Sequence, residues 1–333
     1  MDMGILLVAD VGGTKSEVAL YEITSRTFTF LVGKRYVSSR FSSITEVISS
    51  FLTDVEATPQ FAVLGVAGVV SGETAILTNL EWEKIDCTVL EKRFGFTETV
   101  LVNDLTALAG ALPLLTDDDL VELKPGIEFD NEIKGVIAPG TGLGQGFLLE
   151  NDGHFFARGS EGGHVDFGPV TEMEMALLTW MRWKKQPVSY EMLLSGPGIS
   201  VLYDFCREYY HFEGTGDDVA LLGNDVDRTP AIVERGLQAS CPWCHKSLEL
   251  FLAILGSEAG NLALKLFARG GIYIGGGIVP RLSGRISFDT FRNRFVDKGP
   301  MAKLLQQIPV RLIVRKEAAL LGAVRIGQLF LRP

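Results

Sequence analysis

"VADVGGTKSEVAL", residues Val8 to Leu20, decides how the rest of the chain is read. An apolar run ends on Asp10, then Gly12, Gly13 and Thr14 follow, and a second apolar run begins. A plain hairpin needs only Asn-Gly or Gly-Gly at its turn, so the Asp-x-Gly-Gly-Thr spelling asks for a purpose. Glycines leave the backbone open to close approach. Successive turn amides form a concave set of N–H donors suited to an anion, and Thr14 adds a hydroxyl. A carboxylate at position 10 cannot touch phosphate directly, but it can hold a hydrated Mg²⁺ that bridges to it. An ordinary tight turn is the competing explanation. Against it stands "KGVIAPGTGLGQGFLLE" (134–150), which repeats the pattern of strand, threonine-bearing glycine turn and second apolar run. The echo suggests two related halves. No P-loop and no in-register GxGxxG occurs, so a nucleotide would be held by hairpin amides rather than by a helix N-terminus.

Composition narrows the partners. A chain of 333 residues is long for one core, and two domains are expected. Hydrophobic residues at 47% and charged ones at 22% are the profile of a soluble globular protein. The net charge of −10 argues against nucleic acid or an anionic membrane as partner. It leaves a phosphorylated ligand open, because backbone amides and a metal can neutralise phosphate without lysines. The first residues lack the basic region of a signal peptide, and no run of 18 apolar residues is present, so a cytoplasmic location is expected. Of four cysteines, Cys241 and Cys244 stand in Cys-Pro-Trp-Cys-His, which matches haem-attachment and redox patterns. Helical patterns on both sides, and the lack of a second Cys/His pair nearby, make them ordinary helix-flanking cysteines.

Along the chain, "GILLVAD", "SEVALYEI" and "RTFTFLVGKRYV" read as three successive strands. "SITEVISSFLTDV" has helical spacing, with Ile44, Val47, Ile48 and Phe51 on one face. "FAVLGVAGVV" reads as one buried strand and "TETVLVND" as another that ends on Asn103-Asp104, after which "LTALAGALPLL" starts a helix. That order predicts a mixed sheet covered by helices. "TDDDLVELKPGIEFDNEI" is polar and turn-rich, and the domain boundary is placed beside it, at residue 113. Residues 114–315 then form the larger domain, with "GGIYIGGGIVPRL" and "VRLIVR" as strands. The closing helix, 316–333, returns to complete the smaller domain, 1–113.

Asp10-Val11-Gly12-Gly13-Thr14 together with Gly140-Thr141-Gly142-Leu143-Gly144 resembles the two phosphate hairpins of the sugar kinase, actin and heat-shock chaperone superfamily. "VNDLTAL" (102–108), "SEGGHVDF" (160–167), "EMLLSGPG" (191–198) and "IGGGIVPR" (274–281) narrow it. In this order, over nearly the whole chain, they resemble the bacterial-type glucokinase family. The related repressor and kinase group carries a zinc-binding cysteine cluster after its Glu-x-Gly-His, and this sequence has none there.

The resemblance implies an α/β, two-domain, actin-like ATPase fold of the ribonuclease H-like type, with a cleft between the domains. It implies ATP-dependent phosphorylation of glucose to glucose 6-phosphate. Asp104 would be the general base, a role a carboxylate can fill for an attacking hydroxyl; a helix cap is the competing role for an Asp there. Asn103, Glu161, His164 and Glu191 would join Asp104 on the sugar, whose hydroxyls suit convergent acceptors. Ala9, Asp10, Val11, Gly12, Gly13 and Thr14, with Gly140, Thr141 and Gly142, would hold ATP, and Asp10 would hold Mg²⁺ through water. Gly276 and Gly277 would face the adenosine half. Thr78-Asn79 falls near an expected sugar contact. A homodimer is what the family suggests. A kinase for mannose or fructose, or a sugar-responsive regulator without kinase activity, is the alternative.

Overall fold

The structure of the protein, a computed structural model, describes residues 4–78, 80–127, 129, 131–151, 154–184, 187–210 and 227–331. Strand β1 (Gly4–Val11) pairs antiparallel with β2 (Lys15–Ile23), setting Asp10 opposite Glu17 and Val11 opposite Ser16. Strand β3 (Phe28–Val37) adds antiparallel to β2. In helix α1 (Ile44–Val55) the Ser43 side chain accepts from the Glu46 amide as N-cap, and Ile44, Val47, Ile48 and Phe51 are the buried stripe. Strand β4 (Phe61–Val66) lies parallel to β1. "FAVLGVAGVV", expected as one strand, divides after Val66. Its second half, β5 (Gly68–Ser71), belongs to a separate three-stranded sheet with β6 (Thr74–Leu77) and β7 (Ile85–Asp86). A Cβ at Gly68 would stand 2.1 Å from the Ile76 carbonyl oxygen, so the crossing from one sheet to the other needs glycine.

Helix α2 (Cys87–Phe94) leads to β8 (Glu98–Asn103), parallel to β4, and α3 (Asp104–Ala111) follows at once. The main sheet runs β3-β2-β1-β4-β8, mixed as expected. Leu7, Ala9 and Val11 pack with Val47 and Phe51 on one face, while Leu6 and Val8 pack with Leu320, Ala323 and Val324 on the other. Burial on both faces explains why β1 reads as an unbroken apolar run rather than an alternation.

The polar stretch after residue 115 holds a strand that the sequence hid, β9 (Leu120–Lys124). Strands β10 (Lys134–Pro139), β11 (Leu143–Asn151) and β12 (His154–Ser160) come next, then helices α4 (Glu172–Arg182), α5 (Gly196–Tyr209), α6 (Thr229–Leu237) and α7 (Pro242–Leu266). Of "GGIYIGGGIVPRL" only β13 (Ile272–Ile274) is strand, and its end turns into the short helix α8 (Val279–Leu282). Helices α9 (Asp289–Val296) and α10 (Ala302–Gln307), strand β14 (Val310–Ile313) and helix α11 (Ala318–Gly327) complete the chain. The second sheet runs β12-β11-β10-β13-β14-β9. The edge strand β9 is antiparallel to β14, a pairing between distant segments that no local pattern announces. Helix α7 is long and apolar enough to cross a membrane, but most of it is buried in the fold. On it Gly256 and Gly260 let the α9 backbone approach, since a Cβ at either would come within 2.5 Å of a carbonyl oxygen of Phe291 or Phe295.

Two compact units result: Met1–Asp119 with Gly146–Gly159 and Arg315–Pro333, and Leu120–Gln145 with Ser160–Val314. Residues 146–159, placed by sequence in the second domain, group with the first unit. Gly159 N donates to Thr106 Oγ1 of α3 at 2.8 Å, and a Cβ at Gly146 would lie 3.4 Å from the Leu105 oxygen. Helix α11 crosses α3 so closely that a Cβ at Gly322 would stand 1.7 Å from the Ala107 oxygen. All four cysteines are buried free thiols, and burial pushes Cys87 up to about 11 and Cys206 to about 12. Cys241 Sγ accepts from the Cys244 amide as the N-cap of α7. Among the described residues no group of three His, Cys, Asp or Glu could hold a metal ion.

Candidate active site

The first turn is locked from behind. Gly12 N donates to the Lys15 oxygen at 3.0 Å and closes it. Ser38, 26 residues away in sequence, donates its amide to the Thr14 oxygen at 3.1 Å and its hydroxyl to the Gly12 oxygen at 2.8 Å. That hydroxyl has one proton, so in its 3.0 Å contact with Ser16 Oγ it is the acceptor. The amide of Gly12 is therefore spent inside the turn. Among the described residues no hydrogen bond uses the amides of Gly13 and Thr14 or the Thr14 hydroxyl, and Thr14 is exposed. The anion-binding potential of this hairpin is concentrated in those groups.

Asp10, the last residue but one of β1, is packed round by protein, with part of its side chain still open. Burial raises its carboxyl to about 6, Lys15 pulling it down and Glu17 pushing it up. Among the described residues no donor reaches this carboxylate, whereas Glu17 opposite it is held by Arg35 and, at 3.5 Å, by Lys15. An acidic group denied protein donors and disfavoured as a bare charge has the chemistry of a cation ligand.

Strands β1, β4 and β8 are parallel, and their register aligns Asp10 with Gly65 and Gly65 with Val102. Val102 thus stands two strand spacings, about 10 Å, from Asp10, and Asp104, two residues farther along the chain, follows the end of β8 on the same C-terminal edge of the sheet. Gly65 lies between them, where a Cβ would be 3.7 Å from the Ala9 oxygen and 3.9 Å from Asp104 Cα. The capping role that competed for Asp104 falls to Asn103, whose Oδ1 accepts from Leu105 N at 3.0 Å. Asn103 Nδ2 also donates to the Gly68 oxygen at 3.2 Å, which leaves one N–H and one lone pair of its amide. Asp104 is the first residue of α3, and its Oδ1 accepts from the Leu105 amide at 2.9 Å.

In the second unit, Gly140 N donates to the Gly142 oxygen and Gly196 N to the Gly140 oxygen, both at 2.8 Å, and Thr141 is left exposed at the tip. The turn ends on a carboxylate: Leu143 N donates to Glu191 Oε2 at 2.9 Å. The segment carrying His164 runs beside the one carrying Glu191. Glu191 N donates to the Gly163 oxygen and Tyr190 N to the Val165 oxygen, at 2.9 and 3.2 Å. Glycine at 163 also lets this segment pass close to the end of the second turn, since a Cβ there would lie 2.1 Å from the Leu143 oxygen. His164 consequently sits between two carboxylates, Nδ1 at 3.8 Å from Glu191 Oε1 and Nε2 at 3.9 Å from Glu161 Oε2. Gly276, at φ +79°, packs on the end of β10, where a Cβ would be 2.2 Å from the Pro139 oxygen. Gly277 beside it has nothing within 4 Å of a Cβ position.

Asp10, Asn103 and Asp104 are therefore gathered by the first unit, and Thr141, Glu161, His164, Glu191 and Gly276 belong to the second. Sequence reasoning missed Ser38, which no motif marks because its contact arises only after β3 has folded back. It also missed the tie between Glu191 and the Leu143 amide. Of the Thr78-Asn79 pair, Asn79 lies outside the described residues.

A family model described as Glucokinase matches residues 7–329. A glucokinase of Cronobacter sakazakii is 37% identical over 317 residues, covering 95% of each chain. A "Bifunctional protein glk" of Paraburkholderia xenovorans is also 37% identical, over 97% of this chain but 49% of its own, so this chain spans about half the length of that relative. A glucokinase structure from an Antarctic psychrotroph superposes with a TM-score of 0.83 at 32% identity, covering 97% of this chain and 98% of that one. Relatives named glucokinase over their whole length do not favour the readings as a kinase for another hexose or as a regulator. The two-domain actin-like fold and the match over nearly the full length place this chain in the glucokinase family, the ATP-dependent glucose kinases that its motifs resemble.

Proposed function

We propose that this chain transfers the γ-phosphoryl group of ATP to the 6-hydroxyl of glucose with Asp104 as the general base. The observation that carries the proposal is the shared C-terminal sheet edge, on which Asp10 near the end of β1 and Asp104 just past β8 stand on either side of β4. As O6 attacks the γ-phosphorus its proton passes to the Asp104 carboxylate. The O6–P bond forms, the bond from phosphorus to the β,γ-bridging oxygen breaks, and ADP leaves. The amides of Gly13 and Thr14, with the turn shaped by Ala9, Val11 and Gly12, take phosphate oxygens. Gly140, Thr141 and Gly142 do the same in the second unit, and Gly276 and Gly277 leave room for adenosine. Asp10, which no donor reaches among the described residues, fits a ligand of hydrated Mg²⁺, which when bound would supply positive charge to the phosphates. Glu161, His164, the Oε1 oxygen of Glu191 and the remaining donor and acceptor of Asn103 take sugar hydroxyls.

The test is Asp104→Asn. Glucose binding measured by calorimetry stays close to the wild-type value, while turnover falls by about 10²–10⁴-fold, the usual worth of a positioned base. Substantial residual turnover would remove Asp104 from that role. ADP release across glucose, mannose and fructose checks the sugar, with glucose expected to give the highest kcat/KM.

A further inference from the structure

Glu258 lies in the middle of α7 with no exposed surface, although it is a carboxylate. Its oxygens are shared out with little to spare. Oε1 accepts from Gln145 Nε2 at 2.9 Å and lies 3.4 Å from Lys265 Nζ, and Oε2 accepts from Asn261 Nδ2 at 2.9 Å. Asn261 Nδ2 also donates to the Tyr190 hydroxyl at 3.2 Å. Burial first, and then the charge of Glu258, push the Tyr190 phenol up to about 12, so it remains a neutral hydroxyl beside the carboxylate.

The far sides of these partners touch the loops assigned above to sugar. Gln145 Oε1 fills the space a Cβ at Gly162 would need, at 2.3 Å, and so backs the turn between Glu161 and His164. Tyr190 immediately precedes Glu191, its amide bonds to the Val165 oxygen, and its ring meets Phe167 edge-on at 5.6 Å. Two arms thus run from one buried carboxylate, through Gln145 to the Glu161–His164 turn and through Asn261 and Tyr190 to Glu191. A buried charge is costly unless every lone pair is used, and a well-packed apolar residue is often the more stable choice at such a place. A fully satisfied buried network instead fixes one arrangement of its neighbours.

We propose that Glu258 is a positioning residue that sets the spacing of Glu161, His164 and Glu191, and with it the affinity for glucose. The inference rests on the reading of those three residues as sugar ligands. Glu258→Gln keeps the volume but replaces one acceptor by a donor, which then faces the Gln145 or Asn261 amide. The glucose KM rises about tenfold while the ATP KM stays within twofold. The reciprocal pair Glu258→Gln with Gln145→Glu restores a donor–acceptor match and recovers most of the glucose KM, a rescue that general loosening of the core would not give. An unchanged glucose KM in Glu258→Gln, equal rises in both KM values, or a double variant no better than the single one would overturn the proposal. Glu161→Gln and His164→Ala, measured alongside, separate the two layers. If they raise the glucose KM and Glu258→Gln does not, only the positioning role fails. If they do not raise it either, the sugar-site reading fails and the positioning role with it.

Discussion

The two glycine turns share a spelling and end on opposite uses of an acidic side chain. In the first, the carboxylate precedes the turn and receives no protein hydrogen bond among the described residues, while a serine from a distant segment holds the turn's carbonyl oxygens. In the second, the carboxylate arrives from residue 191 and is spent on the amide that closes the turn. One arrangement leaves an acid open for a cation; the other uses an acid to fix the backbone. The difference teaches that a glycine-threonine turn specifies an anion-sized shape, while the donors around it decide what that shape is used for.

The sharpest way to break this comparison is Asp10→Asn. If the open acid holds a cation, several kcal/mol of charge stabilisation disappear and turnover falls by about 10²–10³-fold. Titrating Mg²⁺ into the variant should show the saturation curve shifted to much higher concentration. Stability in metal-free buffer should move the other way. The folded-state pKa of Asp10 is about 6, above its ordinary 3.8, so protonated Asp10 favours the fold. That contribution is complete below about pH 4 and is lost as pH rises through about 6, which makes the ionised group cost up to about 3 kcal/mol at neutral pH. The variant should therefore be more stable than wild type at pH 7 and equal to it near pH 4, as read from denaturant midpoints. A variant that loses activity without this gain would mean that Asp10 is held by the protein after all.

Gly142→Ala tests the second turn. Its Cβ would stand 2.4 Å from Glu191 Oε2, so either the backbone moves or the carboxylate leaves the Leu143 amide. Because one clash disturbs both the turn and the sugar ligand proposed at Glu191, the KM values for ATP and for glucose should rise together, each by about tenfold, a loss of the order of one charged hydrogen bond. A rise confined to one substrate would show that the turn and Glu191 act separately.

Much of this was legible beforehand because it is local. The α1 stripe of Ile44, Val47, Ile48 and Phe51, the β1–β2 hairpin and the strand ending at Asn103 follow from spacing within a dozen residues. Strand β9 was not, because its partner β14 lies nearly 200 residues away and it sits inside a polar, turn-rich stretch. The break at Gly68 was hidden for a related reason, since only the approach of the Ile76 backbone shows why an apolar run must split there. Around the site, motif residues announced themselves through glycines, but their supports did not. Ser38, Gln145 and Glu258 are ordinary letters until folding brings them behind a turn. Asn103 was half legible: its place beside Asp104 was plain, but its work as the cap of α3 depends on a backbone geometry that the sequence does not display.

Ser38→Ala makes the smallest perturbation and asks how far support matters once the motif itself is intact. The Ser38 amide bond to Thr14 survives, so the turn keeps one of its two external ties. What is lost is the hydroxyl bond to the Gly12 oxygen and the acceptor for Ser16, both in a buried pocket where an unpaired hydroxyl costs about 1–3 kcal/mol. Part of that loss appears as lower stability, because Ser16 is left without its partner. The rest should loosen the Gly13 and Thr14 amides and raise the ATP KM about threefold to fivefold, with the glucose KM unchanged because those amides face no sugar ligand in the proposed reaction. Ser38→Ala combined with Ser16→Ala removes the stranded hydroxyl and should recover stability without recovering the ATP KM. If both recover together, Ser38 serves only the core and the first turn needs no brace; if neither changes at the outset, the contrast between a braced turn and a carboxylate-closed one is wrong.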